Sequence, residues 1–396
     1  MKNESSDIYI MIYLDNAATT QILPEVLDAM LPYLKEEYGN PSSVYQLGQN
    51  SKSAINNSRE IIVNAIGAKP NEVFFTSCGT EADNWAIKGA AYIGKKNNKM
   101  HIISSKFEHH AVLHTLFALE KEGFKITLLP VNQYGFINIE DLKSAIRDDT
   151  CLVTIMYANN EIGTIQPIDE IGAICKEKNI LFHTDAVQAM GSVKIDVNKS
   201  NIDMLSISAH KLHAPKGVGA LYIKTGVSIP NFIYGGSQEF NRRAGTENVA
   251  SIVGFGKAVE HIIKNINSKN EYVSNLRNQL IDHILTTIPK SKLNGSQENR
   301  LPGNANFSFE GIEGESILLL LQKYGICAST GSACTSSSLE PSHVLLAIGL
   351  PHEIAHGSLR LTISELNTQS DIDKVKEILP KIVKKLRELS PLWNNN

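Results

Sequence analysis

Cysteine is scarce in this chain and arranged for neither cross-links nor zinc. The five cysteines, Cys78, Cys151, Cys175, Cys327 and Cys334, are an odd number at no metal-ligand spacing. That excludes a disulfide framework and a structural zinc site, and no metal is expected. An excess of one charge is also missing. The net charge is −3, which gives no support for nucleic acid or an anionic membrane as partner. No apolar run is long enough to span a bilayer. Ile8 to Leu14 is too short and too β-branched for a secretory signal, and no small-residue cleavage site follows. It reads as a strand of a cytoplasmic protein. Met11 is itself a sensible start, with Lys2 to Asp7 as a polar extension. There is no internal repeat and no low-complexity segment.

What remains is an ordinary globular composition: 396 residues, 42% apolar and 20% charged, enough for two or three domains. Short β-branched runs alternate with amphipathic helical patterns. The strands fall at Glu72–Phe75, His101–Ser104, Ile126–Leu129, Cys151–Met156, Leu181–His183, Met204–Ile207 and Ala220–Ile223. The helices between them include Ser53–Ile66, Thr80–Tyr92, Ala111–Glu122 and Ile168–Lys178. Such alternation predicts an α/β fold, a parallel-type sheet with helices on both faces, whose ligands sit at strand carboxyl ends. The alternation stops near Ala250. A long helical pattern follows, then a strand at Asn304–Phe309 and helices at Glu313–Lys323 and Ser370–Leu389. In the last of these Ile372, Val375, Ile378, Leu379, Ile382, Val383 and Leu386 form one apolar stripe, read as core packing of a second domain.

Asp185 and Lys211 close two consecutive strands. Two neighbouring strand ends would hold a carboxylate and an amine on one side of a sheet. Pyridoxal phosphate needs that arrangement, a lysine for covalent attachment and a carboxylate against its ring nitrogen; a buried ion pair is the alternative. Thr76-Ser77-Cys78-Gly79-Thr80-Glu81-Ala82-Asp83-Asn84 leaves a strand and opens a helix. Its backbone N–H groups suit a phosphate, with Gly79 allowing close approach and Thr80 adding a hydroxyl. A plain helix cap reads equally from it, and the spacing is neither that of a P-loop nor GxGxxG. On an extended strand end, Ser208 and His210 would point to one side, toward a phosphate, and Lys211 to the other. His109, in Glu108-His109-His110-Ala111, is placed to stack on a flat cofactor and move protons, or to start a helix on the surface. Asn159-Asn160-Glu161-Ile162-Gly163 is a turn at a strand end. Cys334 lies among Gly, Ser, Ala and Thr with no apolar periodicity, which suggests an exposed thiol used as a nucleophile. Arg360, between Leu359 and Leu361, must find a partner, either a substrate carboxylate or a structural acid.

In this order the motifs resemble those of the cysteine desulfurases, a NifS/IscS-like group of fold-type-I pyridoxal phosphate enzymes. Further residues carrying the resemblance are Tyr13-Leu14-Asp15-Asn16-Ala17-Ala18-Thr19-Thr20, Gly39-Asn40-Pro41-Ser42-Ser43, Asp185-Ala186-Val187-Gln188, Arg243-Ala244-Gly245-Thr246-Glu247-Asn248 and Gly331-Ser332-Ala333-Cys334-Thr335. They span nearly the whole chain. The resemblance implies a large cofactor-binding domain over 19–264, with a mostly parallel seven-stranded sheet, and a small α+β domain over 1–18 and 265–396 carrying a cysteine loop at about 326–342.

The resemblance also assigns roles. Lys211 would anchor pyridoxal 5'-phosphate and Asp185 would bind its ring nitrogen. Gln188 would reach the ring hydroxyl with Asn160 nearby, and His109 would stack on the ring. Gly79, Thr80, Ser208 and His210 would hold the phosphate, joined by Thr246 from the partner of a homodimer. Arg360 with Asn40 would bind the carboxylate of L-cysteine. Cys334 would accept sulfur as a persulfide and pass it to an iron–sulfur scaffold or another acceptor protein, leaving L-alanine. Cys78 stands where the family often has Gly, Tyr45 where it often has His, and His213 where a smaller or aromatic residue is usual. A selenocysteine lyase and an aminotransferase share the scaffold, and a non-catalytic docking dimer is the reading from another class.

Overall fold

In a computed structural model, residues 11–330, 340–391 and 393 are described. The chain divides into two compact units. One is Thr19–Asn160 with Thr164–Asn267; the other is Met1–Ala18, Glu161–Gly163 and Ser268–Asn396.

The larger unit is built on a seven-stranded sheet. Its spatial order is Val73–Thr76, Gly219–Ile223, Met204–Ser208, Leu181–Asp185, Thr150–Thr154, His101–Ser105 and Lys125–Leu129. All neighbouring pairs from Met204–Ser208 outward are parallel; Gly219–Ile223 runs antiparallel to both its neighbours. The strands Thr150–Thr154, Met204–Ser208 and Gly219–Ile223 are buried along their whole length, the pattern of a sheet covered on both faces. The helix Gly79–Lys96 covers one face through Trp85, Ala86, Ile87 and Ala90, packed with Leu116, Leu119, Leu152 and Leu221. Trp85 also donates its indole N–H to Pro230 O at 2.8 Å.

One helix starts earlier than its apolar period suggests. Gln46–Ile66 begins well before Ser53. Its first turns are polar, and what they bury is small: at Gly48 a Cβ would lie 2.6 Å from Asn40 O. A glycine-lined close approach leaves no apolar period to read. The helix stops at Gly67, whose φ of 72° is a left-handed cap.

The smaller unit centres on Asn304–Phe309, paired antiparallel with Ser291–Leu293 on one side and Ser358–Thr362 on the other. Ile12–Tyr13 pairs in parallel with Ile326–Cys327. The stripe of the last helix, Gln369–Leu389, buries Ile372, Val375, Ile378, Leu379, Ile382 and Val383 against Phe307, Phe309 and Leu321, with Leu386 at the margin. A reciprocal cap between Thr368 and Asp371 starts that helix.

Candidate active site

Asp185 ends its strand in register with Ser206 of the next one, and Lys211 follows that next strand by a single turn. Two adjacent parallel strands therefore deliver a carboxylate and an amine to the same sheet edge. Extended geometry stops at Ser208, however. Ala209–Lys211 is a turn of 3₁₀ helix, so the strand alternation expected for His210 and Lys211 does not hold. His210 is instead drawn to Thr19: its Nδ1 lies 3.1 Å from Thr19 Oγ1, and Thr20 donates to its carbonyl. Burial, with Lys211 and Lys216 nearby, pushes its imidazole down to about 4, so it is neutral near pH 7. His213, a departure from the family pattern, sits at φ +58° and is held by Thr20 and Gln21.

Asp185 is buried, and its Oδ1 accepts the Val187 N–H at 2.9 Å. Burial raises its carboxyl to about 6, while that hydrogen bond and the Lys211 charge pull it back down. His109 caps the helix His110–Lys121, its Nδ1 accepting from Ala111 N–H at 3.1 Å. An acceptor role at Nδ1 leaves the proton of a neutral ring on Nε2. One ligand atom each from His109, Asp185 and Asp83 lie within 4.8 Å of one another.

The expected phosphate turn is the start of the helix Gly79–Lys96. A Cβ on Gly79 would lie 2.8 Å from Val187 Cγ2 and 3.4 Å from Ser208 Cβ, so the helix start is pressed against the strand ends. Ser208 Oγ is buried there with no hydrogen-bond partner among the described residues. Pyridoxal phosphate fits this set: an unpaired hydroxyl beside a helix N-terminus for its phosphate, a buried carboxylate for its ring nitrogen, and a lysine at the same edge. Gln188 is half-buried in the turn after Asp185, Asn160 is half-buried in its own turn, and Thr80 is exposed on the first turn of the helix.

Other expected residues lie on further segments. Thr246 is exposed and lines a cavity of about 190 Å³ with Ser77, Gly217 and Arg243. Its segment is fastened twice. Arg243 grips Glu81, with Nε–Oε1 at 2.9 Å. Upstream, Glu239, Phe240 and Asn241 all take positive φ. That turn is held by a buried Arg59–Glu239 pair at 2.7 Å and by Phe75 N–H donating to Glu239. Asn40 is exposed, its Oδ1 accepting from Ser42 N–H. Arg360 belongs to the smaller unit, where its Nη2 meets Asp15 at 2.8 Å; the structural acid expected as one alternative is therefore present. Cys334 lies outside the described residues. Cys327 is in a strand and half-buried, and Cys78 is the half-buried cap residue before Gly79.

Sequence reasoning missed the acids behind the site. Glu108 is fully buried, accepts from Ser105 and from Met156 N–H, and is raised by burial to about 8. Asp83 is buried on the Gly79 helix, and His183 lies 3.7 Å from it. The available signal was a histidine directly after the apolar pair Leu181-Phe182, inside a strand, and a Glu directly before His109.

A mostly parallel sheet with an Asp–Lys pair at its carboxyl edge is the frame of the fold-type-I pyridoxal phosphate enzymes. The class-V aminotransferase model of that kind matches residues 12–375, and the chain belongs to this family. It is 60% identical to the cysteine desulfurase IscS of Clostridium botulinum over 97% of both chains. It is 58% identical to the cysteine desulfurase IscS of Methanosarcina thermophila, over 96% of this chain and 94% of the other. Among solved structures it resembles a NifS-like protein, with a TM-score of 0.90 and 37% identity over 95% of this chain and 100% of the other. It also resembles SspA in complex with cysteine, with a TM-score of 0.80 and 37% identity over 90% of this chain and 100% of the other. Within the family it stands with the cysteine desulfurases, whose cofactor is pyridoxal phosphate.

Proposed function

We propose that this chain takes sulfur from L-cysteine, releases L-alanine, and carries the sulfur as a persulfide on Cys334 to an acceptor protein of iron–sulfur assembly or a related route. The observation that carries the reading is the sheet edge itself, where Asp185, Lys211 and the unpaired Ser208 hydroxyl meet a helix N-terminus. Relatives named cysteine desulfurases, alike along nearly the whole chain, support the same reading.

Pyridoxal phosphate, when bound, supplies the electron sink that acidifies the Cα–H of the amino acid. The chain's own residues do the rest. Gly79, Thr80, Ser208 and His210 hold the phosphate, with Thr246 reaching over from the partner in a homodimer. Asp185 keeps a negative charge against the ring nitrogen, Gln188 and Asn160 orient the ring hydroxyl, and His109 covers the ring. Lys211 would accept the Cα proton. Arg360 with Asn40 orients the substrate carboxylate. Cys334 attacks as a thiolate. A sulfur–sulfur bond forms as the Cβ–S bond breaks, the electron pair stays on carbon, and protonation yields alanine. Thiol exchange then hands the sulfur on. The cytoplasm is the fitting compartment for such a thiol, and no helix among the described residues is long and apolar enough to cross a membrane.

The test is direct. Purified protein should absorb in the visible range, and Lys211→Ala should lose that band. Cys334→Ala should keep the band and still bind cysteine, yet form no alanine under reductant. Normal alanine formation by Cys334→Ala would remove Cys334 from the role given to it here.

A further inference from the structure

Asp83 faces inward from the helix Gly79–Lys96 and is 1% exposed. Its carboxyl lies within 4.8 Å of ligand atoms of both Asp185 and His109. Its other neighbours are neutral or acidic. Ser206 hydrogen-bonds it, Glu108 and the Cys78 thiol act on it electrostatically, and His183 Nε2 is 3.7 Å from its Oδ1. His183 is itself shared between Thr154 Oγ1 at 2.8 Å and Ser206 Oγ at 3.0 Å, and burial pushes it down to about 3, so it brings no positive charge. Asp83 Oδ1 has no hydrogen-bond partner among the described residues. The Lys211 charge acts on Asp185. Two buried carboxyls this close do not both ionise: one proton stays with the pair, and it goes to the member with less compensation.

We propose that Asp83 is a positioning residue that keeps its proton beside Asp185, so that the pair's single negative charge rests on Asp185, where the ring nitrogen of pyridoxal phosphate is held. This rests on the cofactor reading above. The raised proton affinity of Asp83, from burial and from the Asp185 charge, agrees with the geometry. The helix that presents backbone N–H groups to the phosphate would thereby also carry the acid that sets the charge at the other end of the ring.

The infrared carbonyl stretch of a buried carboxylic acid reads the proton directly. Near pH 7, wild-type protein should show such a band from Asp83 beside that of protonated Glu108; Asp83→Asn should lose the first and keep the second, and Glu108→Gln the reverse. Should Asp83→Asn not fold, wild-type protein carrying carboxyl-labelled aspartate should shift the first band. Cofactor-free protein gives a second readout. An acid whose proton affinity is raised on folding costs stability as pH rises, so the advantage of Asp83→Asn over wild type in denaturant should grow with pH. The third readout is pyridoxal phosphate affinity near pH 7. Asp83→Asn should stay within about threefold of wild type, while Asp185→Asn should weaken binding by about tenfold or more, roughly 1.4 kcal/mol. A wild-type spectrum without an aspartic-acid band would mean that both carboxyls are ionised, and an affinity loss in Asp83→Asn equal to that in Asp185→Asn would place the charge on Asp83; either result overturns the proposal. If wild-type protein bound no pyridoxal phosphate, the cofactor reading would fail instead, and the infrared and stability readouts would still decide whether the pair of aspartates holds a proton.

Discussion

Around Asp185 the buried polar groups include acids and a neutral histidine; around Asn304 they are an arginine and asparagines. Each group faces a cost of leaving water, larger for a charge than for a neutral amide. In the smaller unit most of that cost is met by the chain itself, Asn294 Oδ1 being the one atom of this network without a partner among the described residues. Arg300 donates from Nε to Ser296 O, from Nη1 to Asn304 Oδ1 and from Nη2 to Asn294 O. Asn304 and Asn306 both donate to Glu161 O, and Asn294 donates to Asn306 and Ser308. In the larger unit Ser208 Oγ and Asp83 Oδ1 have no partner among the described residues, and Glu108 and Asp185 keep proton affinities above the ordinary carboxylate range. One network is spent on holding loops together. The other leaves polar capacity at a sheet edge, which marks a binding site rather than a scaffold.

If that contrast is right, damage to the two networks should be read by different instruments. The largest effect is expected from Asp185→Asn. It should lower kcat on the order of 10²–10³-fold, the scale for removing one preorganised electrostatic partner, with little change in unfolding by urea. Arg300→Met should do the reverse. It strands three buried acceptors at ~1–3 kcal/mol each, so roughly 3 kcal/mol or more of stability should go. The visible band per folded molecule should be unchanged. A variant of Arg300 that melts normally but loses the band would break the distinction.

Much of this frame was legible in the chain. The strand runs were readable because sheet strands buried on both faces are rich in apolar and β-branched residues; Asp185 ends one of them and Lys211 follows another by a single turn. What was not legible came from contacts without a local period. The helix from Gln46 begins with polar turns around Gly48. The turn at Ala209–Lys211 follows from His210 being tied to Thr19 and Thr20, residues far away in sequence. The nearness of Asp83 to Asp185 joins a helix to a strand across about a hundred positions, and nothing near either residue announces it. Glu81 and Arg243 each sat in a quoted motif, yet their pairing across two segments shows only in three dimensions.

Glu108 sharpens the comparison at an intermediate scale. Its carboxyl ordinarily titrates near 4.5 and is raised to about 8 by burial, partly offset by hydrogen bonds from Ser105 and Met156. The folded protein therefore holds this proton more tightly than the unfolded chain does. The stability tied to it is fully present below about pH 4.5 and is lost progressively as pH rises through about 8. Glu108→Gln keeps an acceptor for Met156 N–H and removes the titration. It should leave stability near pH 5 almost unchanged and raise it by up to a few kcal/mol at pH 9, measured by denaturant unfolding of cofactor-free protein. Parallel pH curves for the two proteins would mean that Glu108 is ionised in the folded state, and the acids of this sheet edge would then resemble the satisfied groups of the smaller unit.

The smallest effect belongs to charges that neither network uses. Lys199 and Asp169 pair at 2.7 Å across an exposed surface, with side chains 73% and 51% accessible. Water and salt screen such a pair, and ordering two long side chains offsets what attraction remains. Lys199→Ala should therefore change neither the urea midpoint nor alanine formation beyond experimental error, at low or high salt. Its value is as the baseline against which Arg300→Met and Asp185→Asn are judged. A clear loss of stability there would show that surface charge contributes to this fold on the scale assigned above to buried groups, and the separation of the molecule into a largely satisfied network and a withheld one would no longer explain the difference between the other two variants.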